Sequence, residues 1–354
     1  MNRIKHKICL IFGGCSAEHE VSLSSAASVY KNLNHDKYEI FSIYINKKGF
    51  WKPVDSPLQP LSKLQQGEFY SFLPWGPPPS STPMKADVYF PVLHGPYGED
   101  GTIQGLLDMA DVPYVGASVL ASSLGMDKAV AKKLYAAHHL PVTDYVVVEE
   151  SDWREKKNSY LEKINHRFPL PFFVKPANLG SSVGITKIKE YAETEAGLRK
   201  AFRYDRKVIV EEGIQGREIE CSVLGNDHPR ASLPGEIIPH REFYDYKDKY
   251  VEGKTSFGIP AQLPDSIVEE IQRIAIEAYK AIDCSGMARV DFFLQNNPQK
   301  IFLNEINTIP GFTEISMYPK LWEVSGMPFS QLLEELIHLA QEKHQKKNKK
   351  SRDL

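Results

Sequence analysis

Short apolar runs stopped by glycine, proline or charge alternate in this chain with segments whose apolar positions recur at helical spacing. The first run, residues 4–12, reads as a buried strand ending at Gly13-Gly14-Cys15-Ser16-Ala17-Glu18. A helix reaching residue 33 and a second strand over 38–45 follow. Strand, glycine turn, helix, strand is the opening of a Rossmann-like open α/β sheet, whose ligands sit beyond the carboxyl ends of the strands. A third strand, 88–93, runs into His94-Gly95-Pro96-Tyr97-Gly98-Glu99-Asp100-Gly101, again a polar, glycine-rich loop at a carboxyl end. Residues 53–84, rich in Pro, Ser and Gly, predict a surface excursion. The pattern closes a first domain over residues 1–124.

A second unit, 125–213, begins with a helix over 127–139. It continues with a strand at 145–148, an exposed charged helix at 150–167, and strands at 172–175, 185–188 and 208–211, with a helix near 193–203. The third unit, 214–354, holds a strand at 218–224 and helices at 267–282 and 329–342. It also contains two apolar runs, 290–294 and 301–306, around the turn-rich Gln295-Asn296-Asn297-Pro298-Gln299. That arrangement predicts a β-hairpin. Period two places Glu305 with Asn307 on one face, and Arg289 with Asp291. Folding about Asn297 sets Asp291 opposite Glu305. Two carboxylates and an amide oxygen then converge with no cation from the chain except Arg289. An oxygen-only set of this kind suits Mg²⁺ that shares its site with substrate phosphates. No internal repeat is present.

Composition narrows the field without redirecting it. The chain has 354 residues, enough for two or three domains, with 42% hydrophobic and 25% charged positions. Forty-three basic against 45 acidic residues give a net charge of −2, so no global field favours nucleic acid or acidic membranes. The one basic run, 343–352, reads as a frayed, solvated tail. Cys9, Cys15, Cys221 and Cys284 have no metal-ligand spacing and suit reduced thiols in a cytoplasmic protein. No run approaches the roughly 18 apolar residues of a membrane span.

Lys175 ends an apolar strand and is followed by Ala177-Asn178-Leu179-Gly180-Ser181-Ser182-Val183-Gly184. Two glycines and two serines beside a lysine offer N–H groups, hydroxyls and a point charge to an anion. Beside the hairpin, this reads as a phosphate-covering loop. Residues 208–211 form an apolar strand that meets the acidic pair Glu211-Glu212. A strand edge here reads a purine through backbone groups, while Glu218 on the next strand suits a ribose.

Seven stretches in order carry a resemblance over nearly the whole chain. They are Gly13-Gly14-x-Ser16-Ala17-Glu18-x-Glu20-Val21-Ser22, His94-Gly95-x-x-Gly98-Glu99-Asp100-Gly101, Met126-Asp127-Lys128, Val174-Lys175-Pro176, Gly180-Ser181-Ser182-Val183-Gly184, Phe243-Tyr244-Asp245-Tyr246-x-x-Lys249-Tyr250 and Glu305-x-Asn307-Thr308-x-Pro310-Gly311. The chain resembles the D-alanine–D-alanine ligases of the ATP-grasp superfamily. The resemblance implies an ATP-grasp fold of two α+β subdomains behind the Rossmann-like first domain. The activity it implies is the ATP-dependent joining of two D-alanines through an acyl phosphate, for cell-wall precursor synthesis.

The resemblance also implies roles for individual residues. Lys128 and Lys175 match lysines that hold ATP phosphates, and Ser182 lies in the covering loop. Glu211, Glu212, Ile214 and Glu218 match purine and ribose contacts, with the backbone acting at Glu212 and Ile214, and Phe243 matches an aromatic against adenine. Asp291, Glu305 and Asn307 match the ligands of two Mg²⁺ (or Mn²⁺) ions, Glu305 bridging both. Glu18 matches the carboxylate that receives the first substrate's ammonium, with His94 near that substrate's carboxylate. Ser181 and Tyr250 match a hydrogen-bonded pair that closes the site with Glu18, and Lys249 a γ-phosphate contact. Arg289 and the Gly311 N–H match donors to the tetrahedral intermediate. Ser316 and the Met317 backbone match the grip on the second substrate's carboxylate. A homodimer is the family's expected assembly. Two other readings fit the same residues: a ligase that joins D-alanine to D-lactate, against which Lys249-Tyr250 argues, and a nucleotide-binding regulator without turnover, which would need no oxyanion donors.

Overall fold

The structure, a computed structural model, describes residues 5–69, 86–238 and 256–350. Three sheets follow one another along the chain. The first contains β1 (His6–Gly13), β2 (Tyr38–Ile45), β3 (Trp51–Val54) and β4 (Val88–Val92), in the order β3-β2-β1-β4. Strand β1 pairs in parallel with β2 and β4, and the helix α1 (His19–Asn32) makes the crossover that parallel β1 and β2 need. Strand β1 is apolar from Ile8 to Phe12 because it is covered on both faces. The described part of the 53–84 excursion, residues 53–69, holds the end of β3 and the short helix α2 (Leu61–Leu64), and α3 (Thr102–Met109) and α4 (Val119–Met126) follow β4.

The helix α5 (Lys128–Ala137) leads into an antiparallel sheet of β5 (Tyr145–Glu149), β6 (Phe172–Pro176), β7 (Thr186–Ile188) and β8 (Lys207–Glu212). Its order is β5-β8-β6-β7, and α6 (Glu150–Arg167) with α7 (Thr194–Ala201) covers one face. The exposed charged helix of the sequence reading is α6, yet it buries Trp153 and Ile164 in this core. Strand β8 lies inside the sheet, paired with β5 on one side and β6 on the other. The backbone edges expected to be open at 208–211 are both engaged, by β5 and β6, so a backbone contact from this strand has to come at or beyond Glu212.

The third sheet joins β9 (Arg217–Gly225), β10 (Arg230–Ala231), β11 (Gly235–Ile238), β12 (Ser256–Gly258), β13 (Gly286–Asn296) and β14 (Gln299–Asn307). Its path is β12-β11-β9-β13-β14, with α8 (Asp265–Ala281) across one face. Ala131 and Tyr135 of α5 enter this core, so α5 packs with the third sheet. The expected hairpin is present, with Asp291 opposite Glu305, Arg289 opposite Asn307 and a bulge after Asp291. The chain ends in α9 (Met317–Val324) and α10 (Phe329–Asn348).

Helix α10 corrects the reading of a frayed tail from residue 343. Lys343 Nζ donates to Gly116 O at 2.6 Å and stands 4.2 Å from the Tyr114 ring centre. Lys346 pairs with Asp227 and Glu342, and Lys347 with Asp108. These contacts hold the helix through Asn348, and cations in its last turn suit the negative end of the helix dipole.

Candidate active site

Two cavities share one wall. The larger, about 640 Å³, is lined by Glu18, His94, Arg289, Gly311, Ser316 and Met317, among others. The second, about 390 Å³, is lined by Lys175, Ser182, Glu211, Glu212, Ile214 and Glu218, among others. Lys128, Gly180, Ser181 and Glu305 face both. The two cavities thus meet at the Lys128–Glu305 pair.

The turn after β1 places Glu18 at the mouth of the first cavity. Ser16 Oγ donates to His94 O at 2.6 Å and accepts from the Glu18 N–H at 3.1 Å, tying the first and third strand-end loops together. The Ser181 hydroxyl donates to Glu18, so the 177–184 loop of the second sheet is fastened to the first domain. Ser181 and Ser182 hold left-handed backbone angles, φ 51° and 59°, which non-glycine residues seldom adopt. Gly95, at φ +75°, clears the other side: a Cβ there would lie 2.7 Å from Glu18 Oε2.

His94 lines this cavity, but both ring nitrogens are held by protein. Nδ1 lies 3.0 Å from Ile309 O and Nε2 3.1 Å from Ser25 Oγ, which also accepts from the Phe312 N–H. The ring therefore ties the first domain to the 309–316 loop that carries Gly311. Burial disfavours its charge, but Glu99, 3.7 Å away, outweighs burial and raises the His94 pKa. Burial also raises the Glu99 pKa. At the far end, Ser316 begins α9, and its hydroxyl accepts from the Thr313 N–H at 3.0 Å. The N-terminus of α9 is suited to a carboxylate.

The hairpin carries the charged centre. Arg289 forms two 2.7 Å bonds to Asp291 and lies 3.1 Å from Glu220. Burial opposes its charge, but Asp291 and Glu220 more than compensate and raise its pKa well above the ordinary value. Lys128 Nζ donates to Leu179 O at 2.7 Å and lies 3.1 Å from Glu305. The expectation that Arg289 is the only cation here is corrected, because α5 brings Lys128 in from another part of the chain. Among the described residues, no three His, Cys, Asp or Glu side chains gather as a ready cage for a metal. Asp291, Glu305 and the Asn307 amide oxygen instead supply a partial oxygen set. That fits Mg²⁺ arriving with a nucleotide, completed by phosphate and water.

In the smaller cavity, Lys175 Nζ is 2.5 Å from Glu211, and Glu211 also receives Lys132 at 2.9 Å. Burial works against the Lys175 charge, while Glu211 raises its pKa above the ordinary value. Gly213 follows the strand because Pro171 O crowds it: an added Cβ would stand 2.1 Å from that oxygen. Lys132, Glu99 and Glu220 were not singled out by sequence. Lys132 follows Lys128 by one helical turn and Glu220 follows Glu218 by the strand period, so spacing held the signal. Phe243, Lys249 and Tyr250 lie outside the described residues.

The family described as D-ala D-ala ligase N-terminus matches residues 7–117, and D-ala D-ala ligase C-terminus matches 134–338. The chain belongs to the D-alanine–D-alanine ligase family. It is 51% identical to the D-alanine–D-alanine ligase of Thermoanaerobacter sp. (strain X514), covering 97% of this chain and 98% of that one. Against the ligase of Bacillus velezensis the identity is 49%, over 95% and 98%. Among solved structures, the D-alanine-D-alanine ligase from Coxiella burnetii superposes with a TM-score of 0.83 at 39% identity, covering 98% of this chain and 96% of that one. The VanG D-Ala:D-Ser ligase from Enterococcus faecalis gives 0.81 at 36%, covering 95% and 100%. The fold of this family is ATP-grasp, and the second and third sheets form the two walls of the smaller cavity.

Proposed function

We propose that this ligase joins two D-alanine molecules with ATP, and that its two adjoining cavities hold the amino acids and the nucleotide respectively. The observation that carries the reading is the shared wall: Lys128 and Glu305 face both cavities, where a carboxylate and a γ-phosphate have to meet. The first D-alanine's ammonium pairs with Glu18. Its carboxylate oxygen bonds to the γ-phosphorus as the bond to ADP breaks, giving an acyl phosphate. Lys128 and Lys175 hold the phosphates. Asp291, Glu305 and Asn307 would hold two Mg²⁺ (or Mn²⁺) ions, which when bound offset phosphate charge.

The second D-alanine's carboxylate sits at the Ser316 hydroxyl and Met317 N–H, at the start of α9. Its amine attacks the acyl carbon, phosphate leaves, and a proton is lost from nitrogen. Arg289 and the Gly311 N–H stabilise the oxyanion that forms between those steps. Glu212 and Ile214 offer backbone contacts to the purine, and Glu218 takes the ribose. We assign residues 1–124 to a substrate-binding domain and 125–213 and 214–354 to the two ATP-grasp subdomains. A homodimer in the cytoplasm, where ATP is available, completes the assignment. No described helix is long and apolar enough to cross a membrane.

Release of ADP with D-alanine alone, with D-alanine plus D-lactate, and with L-alanine alone tests the reading. ADP and dipeptide should appear together with D-alanine and neither with L-alanine. ADP release with depsipeptide as the main product would move the chain to a different ligase class. Nucleotide binding with no release would make it a regulator.

A further inference from the structure

The nucleotide cavity rests on a charge cluster larger than phosphate binding alone requires. Lys132 follows Lys128 by one turn of α5, so the two share a helix face. Lys128 reaches the wall between the cavities, whereas Lys132 is 1% exposed beneath it. Its Nζ lies 2.9 Å from Thr143 Oγ1 and 2.9 Å from Glu211 Oε1. Glu211 Oε2 lies 2.5 Å from Lys175 Nζ. One carboxylate thus holds two ammonium groups. Lys175 and Glu211 line the cavity, and Lys132 stands behind them.

Lys175 alone would neutralise Glu211, and a second buried ammonium is costly. The arrangement makes sense once Lys175 is drawn toward the phosphates of a nucleotide. A Glu211 without another cation would then be a buried unpaired charge and would take up a proton. An ionised carboxylate only accepts hydrogen bonds, whereas a protonated one also donates. The adenine edge presents an amino donor where the guanine edge presents a carbonyl acceptor. The charge on Glu211 therefore decides which purine fits.

We propose that Lys132 is a positioning residue that keeps Glu211 an obligate acceptor, and so selects ATP over GTP in the Lys175 cavity. This rests on the reading of Glu211 as a purine contact. The groups facing Glu211 are Lys132 from α5, Lys175 from β6 and Tyr145, its partner on β5. Glu305 from β14 acts on both lysines, and Glu218 from β9 acts on Lys175. Burial pushes the Glu211 pKa up, but Lys132, ahead of Lys175, helps to bring it down to about 2. Burial lowers the Lys132 pKa, and Glu211 opposes that shift.

The test measures ATP and GTP binding by calorimetry with magnesium, in the full chain and in K132M, K132R, E211Q and K132M/E211Q. The wild-type preference for ATP should be flat between about pH 6 and 8, far above the Glu211 pKa. K132M should weaken ATP roughly 10-fold or more and GTP less, with the preference shrinking further as pH falls. K132R should restore it. E211Q, whose amide both donates and accepts, should already be relaxed, and adding K132M should change its ratio less than about twofold. A wild-type ratio in K132M at every pH, or an equal effect of K132M in the E211Q background, overturns the proposal. Should K132M not fold, a wild-type preference in E211Q, or a pH-dependent one in the parent, overturns it instead. ADP release with D-alanine is read alongside. Binding of ATP without that release defeats the ligase reading while leaving the purine ratio as the test of Lys132. Normal release with an unaltered K132M ratio defeats only the Lys132 proposal.

Discussion

Two sets of cation–carboxylate pairs stand around the smaller cavity, and they differ in depth. At the hairpin, the Lys128 and Glu305 side chains are 12% and 31% exposed, and Arg289 and Asp291 are 18% and 14%. Behind Lys175, the Lys132 and Glu211 side chains are 1% and 3% exposed. Pairs that water can reach are inexpensive to part, whereas breaking a fully buried pair by removing one partner strands a charge. The hairpin pairs can therefore part, freeing the carboxylates for cations and the lysine or arginine for anions. The buried set keeps its geometry and fixes the field of the cavity.

Removal of the buried carboxylate is the sharpest challenge to this contrast. Glu211→Gln should cost stability on the order of 3–5 kcal/mol near neutral pH, read as a lowered melting temperature by calorimetry. Because the folded-state pKa of Glu211 is depressed, its contribution is present above the ordinary carboxylate value and lost as pH falls toward about 2. The gap in melting temperature between parent and variant should accordingly narrow as the solution is acidified below about pH 4.5. A gap that widened on acidification would mean the carboxylate is not held ionised.

Glu305→Gln probes the hairpin set and should give the opposite profile. Turnover should fall roughly 100-fold or more, in the manner of lost metal coordination, with little change in melting temperature. Near-normal turnover at saturating magnesium would erase the functional half of the comparison. Glu18→Gln should weaken the first D-alanine by roughly 10- to 150-fold, the range of one charge-assisted bond, and leave ATP binding nearly unchanged. If ATP binding suffers instead, Glu18 serves the other cavity. The smallest effect belongs to Ser181→Ala, which removes the hydroxyl on Glu18 for about 0.5–1.5 kcal/mol. A several-fold rise in the apparent constant for D-alanine is the expected reading, and no rise would make the Ser181–Glu18 bond a packing contact only.

Most elements were legible because their signals are local. The apolar stretch around residues 8–12, the strand at 38–45 and the hairpin about Asn297 carry period and turn residues within a few positions. The hairpin and its polar face followed from strand period and turn residues, but the facing of Asp291 and Glu305 is completed by the bulge after Asp291, without which Asn304 would stand opposite. The end of α10 was misread because a run of lysines looks solvated until Asp108, Gly116 and Asp227, far away in the chain, are brought beside it. The interior position of β8 was missed for a similar reason. An apolar strand looks alike at an edge or in the middle until its neighbours are known.

The sequence by itself determined which residues carry charge and glycine at strand ends, and hence that nucleotide and carboxylate chemistry belonged here, since strand and helix periods act over a few residues. The pairing of charges was decided only by the tertiary structure. Lys128 meets Glu305 and Lys132 meets Glu211 across separations of more than 75 residues. Electrostatic interaction depends on distance in space and on burial, and both are set when the three sheets close around the cleft.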